Sequence, residues 1–365
     1  MAKKAGTRSK STGGKKTQDS KPSASKKAPT LLVGIDLGTS RTAISSSNGH
    51  RLMVSTYVGK PKDVISEKLF GKRLLFGDEA LNNRLSVELF RPLEKGVVKT
   101  SAREKTENIE AAKELLAHIV SLVSPSNDDV IYGVIGVPAR ASIESKKILI
   151  DIVRDVFDAV MIVSEPFSVA YGLDTLTDAL VLDIGAGTMD LCRLHGVLPG
   201  EEDQITIEKA GDFIDESLFN LIREKHPEAQ FSINMIRNIK EKHGYVYDNM
   251  EQVKVEFPVK GKPTTFDITE ELKSACKAIA PDLVEAIHTL IGGFDPEFQA
   301  RLRDNVIVCG GGSQMVGLRT LIEESLDELG GGRVTIIDEP VYAGCNGALR
   351  IAREMPDSFW EHLRE

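Results

Sequence analysis

A short apolar strand that ends in an aspartate and a glycine-rich turn occurs twice in this chain of 365 residues. The first copy reads GIDLGT and contains Asp36, and the second reads LDIGAGT and contains Asp183, 147 residues further on. A repeated unit of this kind indicates two related lobes that face each other, each with one carboxylate at the end of a strand. The alternative is a chance match of two strand-turn signals.

The residues around these two strands alternate between strand and helix patterns. Apolar runs predict buried strands over 130–137, 160–163 and 179–183. Apolar positions with a helical period predict helices over 106–123 and 142–156. Because strands that alternate with helices are typical of α/β proteins, we expect an α/β fold with mostly parallel sheets.

Both glycine-rich turns suit phosphate binding. A strand that enters such a turn exposes consecutive backbone N–H groups, and glycine lets an anion approach closely. Two opposed turns can hold a polyphosphate from both sides. The residues predicted to bind it are Gly38, Thr39 and Ser40 in the first turn and Gly185, Gly187 and Thr188 in the second. The sequence contains no GxxxxGK(S/T) motif, which excludes a P-loop.

The aspartates ahead of the two turns point to a magnesium ion. Magnesium prefers oxygen ligands, is commonly bound by one or two carboxylates, and keeps several waters. A carboxylate that precedes a phosphate-binding turn lies where this ion has to be held. The sequence therefore predicts that Asp36 and Asp183 hold Mg²⁺ beside the bound phosphates.

A third glycine cluster follows the apolar strand 306–309 and consists of Gly310, Gly311, Gly312 and Ser313. A turn without side chains can lie flat against a nucleoside, and the helix predicted after it directs its N-terminus towards phosphate. A fourth segment, 342–348, begins a helix with small residues that permit close helix contacts. Taken singly, these two segments are more often tight turns and packing sites than ligand contacts.

Five segments, in this order along the chain, resemble the motifs of the actin, Hsp70 and sugar-kinase superfamily of ATPases. GIDLGTS resembles the first phosphate loop of that superfamily, LDIGAGTMDL the second, and IVCGGGSQMVGL the adenosine loop. VSEPFSVAYG and AGCNGALRIA resemble the two connections between its lobes. The resemblance implies an α/β, actin-like ATPase fold in which two lobes, each with an RNase H-like core, surround a nucleotide cleft.

The resemblance also implies domain boundaries. Lobe I would comprise residues 30–164 and 343–365, with a small subdomain at about 56–96. Lobe II would comprise residues 165–342, with a small subdomain at about 212–264.

Roles for individual residues follow from the same resemblance. Glu165 would orient the water that attacks the γ-phosphate, and Asp183 would bind the water shell of the metal or accept the proton of that water. Lys240 and Glu241 lie in a segment that resembles the ribose- and adenine-contacting segment of actin, so they are expected to contact the nucleotide. The alternatives are a helix N-terminal acid for Glu165 and an exposed helical charge run for the other two.

Two positions depart from the pattern of the superfamily. Met189 stands in the second phosphate loop where relatives often have Thr, so one hydroxyl contact is expected to be missing. Arg41 follows the first loop, where conventional actin has a phosphate-contacting Lys a little later. Whether Arg41 reaches phosphate is open at this stage.

Further segments, among them GKPKDVISEKLFGK, IGVPARAS and ALRIAREMPDSFWEHL, closely resemble the actin-like proteins of the magnetosome cytoskeleton in magnetotactic bacteria. This resemblance implies a Mg-dependent ATPase, with ATP and ADP as its nucleotides, that polymerises head to tail into cytoplasmic filaments. Such filaments would align or position magnetosomes, and hydrolysis would drive their turnover.

Two other classes of the superfamily are alternatives. A non-filamentous small-molecule kinase would place an Asp in the connection as the base for a substrate hydroxyl, where this chain has Glu165 and Pro166. An Hsp70-type chaperone would need a substrate-binding domain after the ATPase, and only about five residues follow the last helical motif region. We therefore expect a filament-forming ATPase.

The formal net charge of -8 combines two unlike parts. Residues 1–29 carry nine basic groups against one acid, Asp19, a net charge of +8, and the remaining residues sum to -16. The basic segment has almost no bulky apolar residues, so it is predicted to be disordered. It is interpreted either as a solvated arm or as a contact with an anionic membrane, magnetosome-associated proteins or neighbouring copies. No sequence-specific nucleic-acid binding is expected.

The remaining compositional features indicate a cytoplasmic protein. Four scattered cysteines without CxxC spacing argue against a disulfide scaffold and a zinc site, and for a reducing compartment. No apolar run approaches the ~20 residues needed to cross a bilayer.

Overall fold

The computed structural model describes residues 29–100, 105–247 and 252–364. The segment predicted to be disordered lies outside the described residues, apart from its last residue. The elements of the first part are β1 Thr30–Leu37, β2 Arg41–Ser46, β3 Arg51–Ser55, β4 Val58–Pro61, α1 Val64–Phe70, β5 Leu75–Phe76, α2 Gly77–Asn82, β6 Val87–Phe90, β7 Leu93–Glu94, β8 Val97–Val98, α3 Lys105–Ser121, β9 Val130–Val137, α4 Ile143–Val153, β10 Ala159–Ser164 and α5 Glu165–Gly172.

The second part of the chain repeats the pattern of a hairpin followed by helices and parallel strands. Its elements are β11 Thr177–Ile184, β12 Met189–His195, β13 Gln204–Ile207, α6 Gly211–Lys225, α7 Ile233–His243, β14 Lys254–Val259, β15 Lys262–Asp267, α8 Thr269–Lys277, α9 Ala280–Gly292, α10 Gln299–Arg303, β16 Val306–Cys309, α11 Leu318–Asp327, β17 Val334–Ile336, α12 Ala343–Glu354 and α13 Asp357–Arg364.

Two five-stranded sheets have the same topology. The first has the order β10-β9-β1-β2-β3, with β1 antiparallel to β2 and parallel to β9. The second has the order β17-β16-β11-β12-β13, with β11 antiparallel to β12 and parallel to β16. Asp36 and Asp183 lie on the central strands β1 and β11, where they pair with Ala43 and Asp190 in their hairpins. The repeat in the sequence thus corresponds to two equivalent lobes, and the predicted two-lobed α/β fold is confirmed.

The expectation of mostly parallel sheets is wrong, because both sheets are mixed. The glycine turn after each aspartate is only a few residues long, and parallel neighbours need a crossover of a dozen residues or more. The next strand therefore returns as an antiparallel hairpin partner. Parallel pairing appears only where a longer segment intervenes, as between β1 and β9 and between β11 and β16.

Helix α12 packs against β1 and α5 at very short range. A Cβ at Gly34 would lie 2.2 Å from the backbone nitrogen of Leu349, and a Cβ at Gly347 would lie 1.8 Å from the carbonyl oxygen of Ser168. These approaches are possible only without side chains, which agrees with the prediction that the small residues of 342–348 permit close helix contacts. The packing brings the start of α12 next to the end of β1.

Each lobe has its own apolar core. The first core contains Ile35 of β1 and Leu116 of α3, and the second contains Leu182 of β11 and Leu218 of α6. Because the cores are separate, the residues between the two sheets need not be apolar. The boundaries proposed for the lobes and small subdomains stay a prediction. In the described part of the chain, no helix is both long and apolar enough to span a membrane.

Candidate active site

A cavity of about 330 Å³ lies between the two central strands, and glycine turns from both sheets form its walls. Every residue predicted for the site lines this cavity, with the exception of Ser313. The structure thus brings together residues from the start, the middle and the end of the chain. The roles of these residues stay predictions.

Asp36, the penultimate residue of β1, lies partly buried in the cavity wall. Helix α12 starts beside it, and a Cβ at Gly344 would lie only 2.7 Å from Oδ2 of Asp36. Burial raises the pKa of Asp36 to about 6. In the following turn, the hydroxyl oxygen of Thr39 accepts a hydrogen bond from the backbone N–H of Gly96 at 2.7 Å. The O–H of Thr39 therefore stays available to donate to a phosphate oxygen.

Asp183 occupies the equivalent position in the second lobe, and the third glycine cluster packs directly onto it. Gly310 has a φ of 76°, and a Cβ there would lie 2.3 Å from Oδ1 of Asp183 and 2.5 Å from the carbonyl oxygen of Ile184. Both the backbone conformation and this approach require glycine. Burial and then the negative charge of Asp36 raise the pKa of Asp183 well above its ordinary value.

Glu165 is the first residue of α5 and follows β10 directly. Its side chain is buried beside Gly136 of β9, where a Cβ would lie 3.3 Å from Cγ of Glu165. Burial raises the pKa of Glu165 well above its ordinary value, and the charges of Asp36, Asp190 and Asp183 raise it further. The helix start that the sequence predicted thus carries a carboxyl group that faces the cavity.

The carboxyl groups of Asp36, Glu165 and Asp183 lie close together, since the charge of Asp36 disfavours the ionisation of both Glu165 and Asp183. A bound cation would relieve this repulsion. In residues 29–100, 105–247 and 252–364, no group of three or more His, Cys, Asp or Glu is placed to hold a metal. The donor set itself, carboxylates beside two glycine-rich turns, suits magnesium, which is commonly bound by one or two carboxylates and takes its other ligands from phosphate and water.

Helix α7 contributes Lys240 and Glu241, and both side chains have partners. Nζ of Lys240 donates to the carbonyl oxygen of Gly211 at 2.7 Å and pairs with Asp215. Glu241 forms an ion pair with Arg41, with 2.6 Å between Oε2 and Nη2. Arg41 therefore reaches across the cavity to the opposite lobe in this structure.

Two further residues of the glycine turns and their neighbouring strands lie in the protein interior. Ser313 is fully buried, and its hydroxyl donates to the carbonyl oxygen of Gly310 at 2.7 Å, so it stabilises the glycine turn from within. Met189 is fully buried on β12 in the core of the second lobe, in the same cluster as Ile184 and Ile214. Its side chain fills that core, which explains an apolar residue at this position.

Several residues of the cavity wall were not predicted from the sequence, including Gly96 and Gly211. Gly96 follows Lys95 in the tight turn between β7 and β8, and both residues have positive φ, 50° and 70°. A glycine between two short apolar runs signals such a hairpin turn, but the signal does not indicate that the turn touches a phosphate loop. Asp190 was also missed: its Oδ1 accepts the backbone N–H of Ala139 from the opposite lobe at 2.8 Å.

Comparison with known proteins gives consistent matches over most of the chain. The family model of the MreB/Mbl protein matches residues 30–358. The actin-like protein MamK of Paramagnetospirillum magneticum is 44% identical over 333 residues, which cover 91% of this chain and 95% of that protein.

Solved structures of MamK give the same result. The MamK double helical filament has a TM-score of 0.86 and 44% identity, and the match covers 89% of this chain and 99% of that one. A non-polymerising MamK variant bound to AMPPNP has a TM-score of 0.68 and 43% identity, with 90% and 100% covered.

Proposed function

Since the chain belongs to the MreB/Mbl family of actin-like proteins and is of the MamK type, we propose that it binds and hydrolyses ATP and assembles into cytoskeletal filaments. One observation carries this proposal: Asp36 and Asp183 meet the glycine turns of both lobes in a single cavity. Paired turns rich in backbone N–H groups suit a polyphosphate, and the carboxylates beside them suit its counter-cation.

Magnesium belongs to the proposal as the ion that Asp36 and Asp183 would hold. When bound, it supplies positive charge that neutralises the phosphate oxygens during transfer. Backbone N–H groups of the turns at Gly38 and Gly187 bind the phosphate oxygens, and the hydroxyls of Thr39 and Thr188 add donors. The protein thereby fixes the polyphosphate in one position, which is the main requirement of phosphoryl transfer.

Glu165 is the residue proposed to orient the attacking water. Its buried carboxylate faces the cavity from the start of α5, and a carboxylate with a raised pKa is a stronger proton acceptor than one in solvent. Asp183 is the second candidate acceptor, because burial raises its pKa as well. The two side chains come from different elements, so variants at each position separate their roles.

Filament assembly follows from family membership, and hydrolysis coupled to disassembly completes the proposal. The alternative, a small-molecule kinase of the same superfamily, requires an acceptor alcohol and an aspartate base where this chain has Glu165. Sedimentation in ATP and in ADP, combined with phosphate release without added sugar, tests the two against each other. ATP-dependent pelleting with sugar-independent phosphate release supports the filament ATPase, whereas no pelleting at micromolar protein would contradict it.

The proposal extends to where the filaments act. As the sequence resemblance to the actin-like proteins of the magnetosome cytoskeleton implies, filaments of this chain would lie in the cytoplasm and would align or position magnetosomes. The basic segment 1–29, with its net charge of +8, would tether them to an anionic membrane or a magnetosome-associated protein, or would bundle them through the acidic remainder of neighbouring copies. One such arm per subunit makes weak attractions add along a polymer.

A further inference from the structure

Arg91 connects the first phosphate turn to the opposite lobe. It directly follows β6, and its Nε donates to the carbonyl oxygen of Thr39 at 3.2 Å. Its Nη2 lies 2.9 Å from the carboxylate of Asp212 on helix α6. The side chains of Arg91 and Asp212 are 21% and 25% exposed, so solvent screens this ion pair only in part.

Asp212 is in turn fixed to the second phosphate turn. Its backbone N–H donates to the carbonyl oxygen of Ala186 at 2.7 Å. The backbone N–H of Gly211 donates to the carbonyl oxygen of Gly185 at 3.2 Å. The start of α6 therefore moves with the second turn. Arg237 also donates to the Asp212 carboxylate, at 3.3 Å, which limits the positions that this carboxylate can take.

A continuous chain of hydrogen bonds thus joins the two phosphate turns behind the cavity. It runs from the Thr39 carbonyl through the Arg91 guanidinium to Asp212 and on to the Ala186 carbonyl. Arg91 itself is absent from the cavity wall, so it acts through other groups. We infer that Arg91 is a positioning residue that sets the spacing between the two phosphate turns, and through it the alignment of the γ-phosphate with the attacking water.

This inference rests on the proposed ATPase function. It assigns to Arg91 the spacing of the two phosphate turns, on which the alignment of the γ-phosphate with the attacking water depends. A guanidinium has donors in a rigid planar fork, so a single Arg91 reaches two acceptors at a fixed angle. A second ion pair from the residues after β6 to the opposite lobe, between Lys95 and Glu208, has side chains that are 49% and 63% exposed. Because exposed ion pairs contribute little, that contact cannot hold the spacing in place of Arg91.

Arg91→Gln and Arg91→Lys test the inference, because neither substituted side chain can reach both acceptors. Displacement of a reacting group by about 1 Å costs on the order of 100-fold in rate. We therefore expect kcat for phosphate release to fall by about 10- to 100-fold in both variants. The affinity for ADP, which lacks the γ-phosphate, should stay within about 3-fold of the wild type.

Arg84→Gln is the matched control, because Arg84 is an exposed arginine shortly before β6 whose guanidinium donates to the Leu81 carbonyl of its own turn. Its kcat and ADP affinity should equal those of the wild type. Thermal unfolding without nucleotide detects a folding defect, and Arg91→Lys keeps the charge if Arg91→Gln unfolds.

The outcomes separate this inference from the proposed function. Wild-type kcat in a folded Arg91 variant overturns the positioning role alone, since the wild-type chain still hydrolyses ATP. Equal losses of ADP and ATP affinity with an unchanged kcat also overturn it, because they show a general role in closing the cavity. A wild-type chain that releases no phosphate from ATP overturns both proposals.

Discussion

Arg41 and Glu241 form an ion pair across the cavity, with 2.6 Å between Nη2 and Oε2. Arg41 starts the strand after the first phosphate turn, and Glu241 lies on helix α7 of the opposite lobe. The pair therefore joins the two lobes at the wall of the cavity. Both side chains are partly exposed, at 41% and 35%, so water and salt weaken their attraction.

Loss of this ion pair should change nucleotide exchange rather than stability. In Arg41→Ala we expect the free energy of unfolding to fall by at most about 1 kcal/mol, because an exposed pair contributes little. Nucleotide release should become several-fold faster, since one contact between the lobes is gone. Chase experiments with a fluorescent ADP measure the rate. Arg319→Ala is the control, because Arg319 forms an ion pair of similar exposure with Glu323 within helix α11; equal release rates in the two variants would contradict the prediction.

Glu165→Ala should assemble but hydrolyse ATP poorly. In the proposed mechanism, filament formation requires bound ATP and turnover requires the oriented water, and loss of a general base reduces rates by about 10²- to 10⁴-fold. Phosphate release should therefore fall in this range, and filaments should persist after the wild-type ones have disassembled. Glu144→Ala, which removes an exposed acid from the first turn of α4, should behave as the wild type. Filament turnover at the wild-type rate in Glu165→Ala would rule out the role proposed for Glu165.

Gly310→Ala should destabilise the protein, while Gly311→Ala should not. A Cβ at Gly310 would lie 2.3 Å from Oδ1 of Asp183 and 2.5 Å from the carbonyl oxygen of Ile184, and the φ of 76° at this position disfavours any side chain. A Cβ at Gly311 would have no neighbouring atom within 4 Å. We expect the first substitution to lower the free energy of unfolding by about 2 to 4 kcal/mol and the second by less than about 0.5 kcal/mol. Chemical denaturation without nucleotide measures both. Equal effects at the two positions would contradict the close packing on Asp183.

The raised pKa of Asp36 predicts how stability depends on pH without magnesium and nucleotide. Between the ordinary pKa of an aspartate, near 4, and the raised pKa of about 6, the folded protein binds more protons at this group than the unfolded chain. Stability is therefore lost as the pH rises from about 4 to about 6. Asp36→Asn should remove this contribution. The melting temperature of the variant, relative to that of the wild type, should therefore rise as the pH increases from about 4 to about 6. A constant difference between pH 4 and 7 in EDTA would contradict the raised pKa.

Deletion of residues 2–29 should remove a salt-sensitive interaction and leave hydrolysis intact. All charged residues of the segment except Asp19 are Lys or Arg, and the remainder of the chain has a negative net charge. Its attractions should weaken with salt, because the Debye length falls from about 10 Å at 0.1 M to about 3 Å at 1 M. Light scattering reports filament bundling, and co-flotation with anionic vesicles reports membrane binding. Unchanged bundling and vesicle binding would contradict this prediction and would support the alternative interpretation of the segment as a solvated arm.

Local patterns predicted the elements of the fold closely. The apolar run 130–137 is strand β9, and the helix expected over 142–156 is α4, which starts after Ser142 because its side chain accepts the N–H of Ser145. Such features depend on neighbours in the chain, so they are visible in the sequence. The direction of pairing in the sheets was predicted less well, since it depends on how far the chain travels between strands.

The sequence by itself determined that two aspartates end strands before glycine turns, and that these turns belong to related lobes. Only the tertiary structure decided what each charged group contacts: Arg91 meets Asp212 from 121 positions away, and Arg41 meets Glu241 from 200. It also decided that the hydroxyl of Ser313 bonds to its own turn. The physical reason is that backbone conformation follows from adjacent residues, whereas ion pairs, burial and raised pKa values arise only when distant segments come together and exclude water.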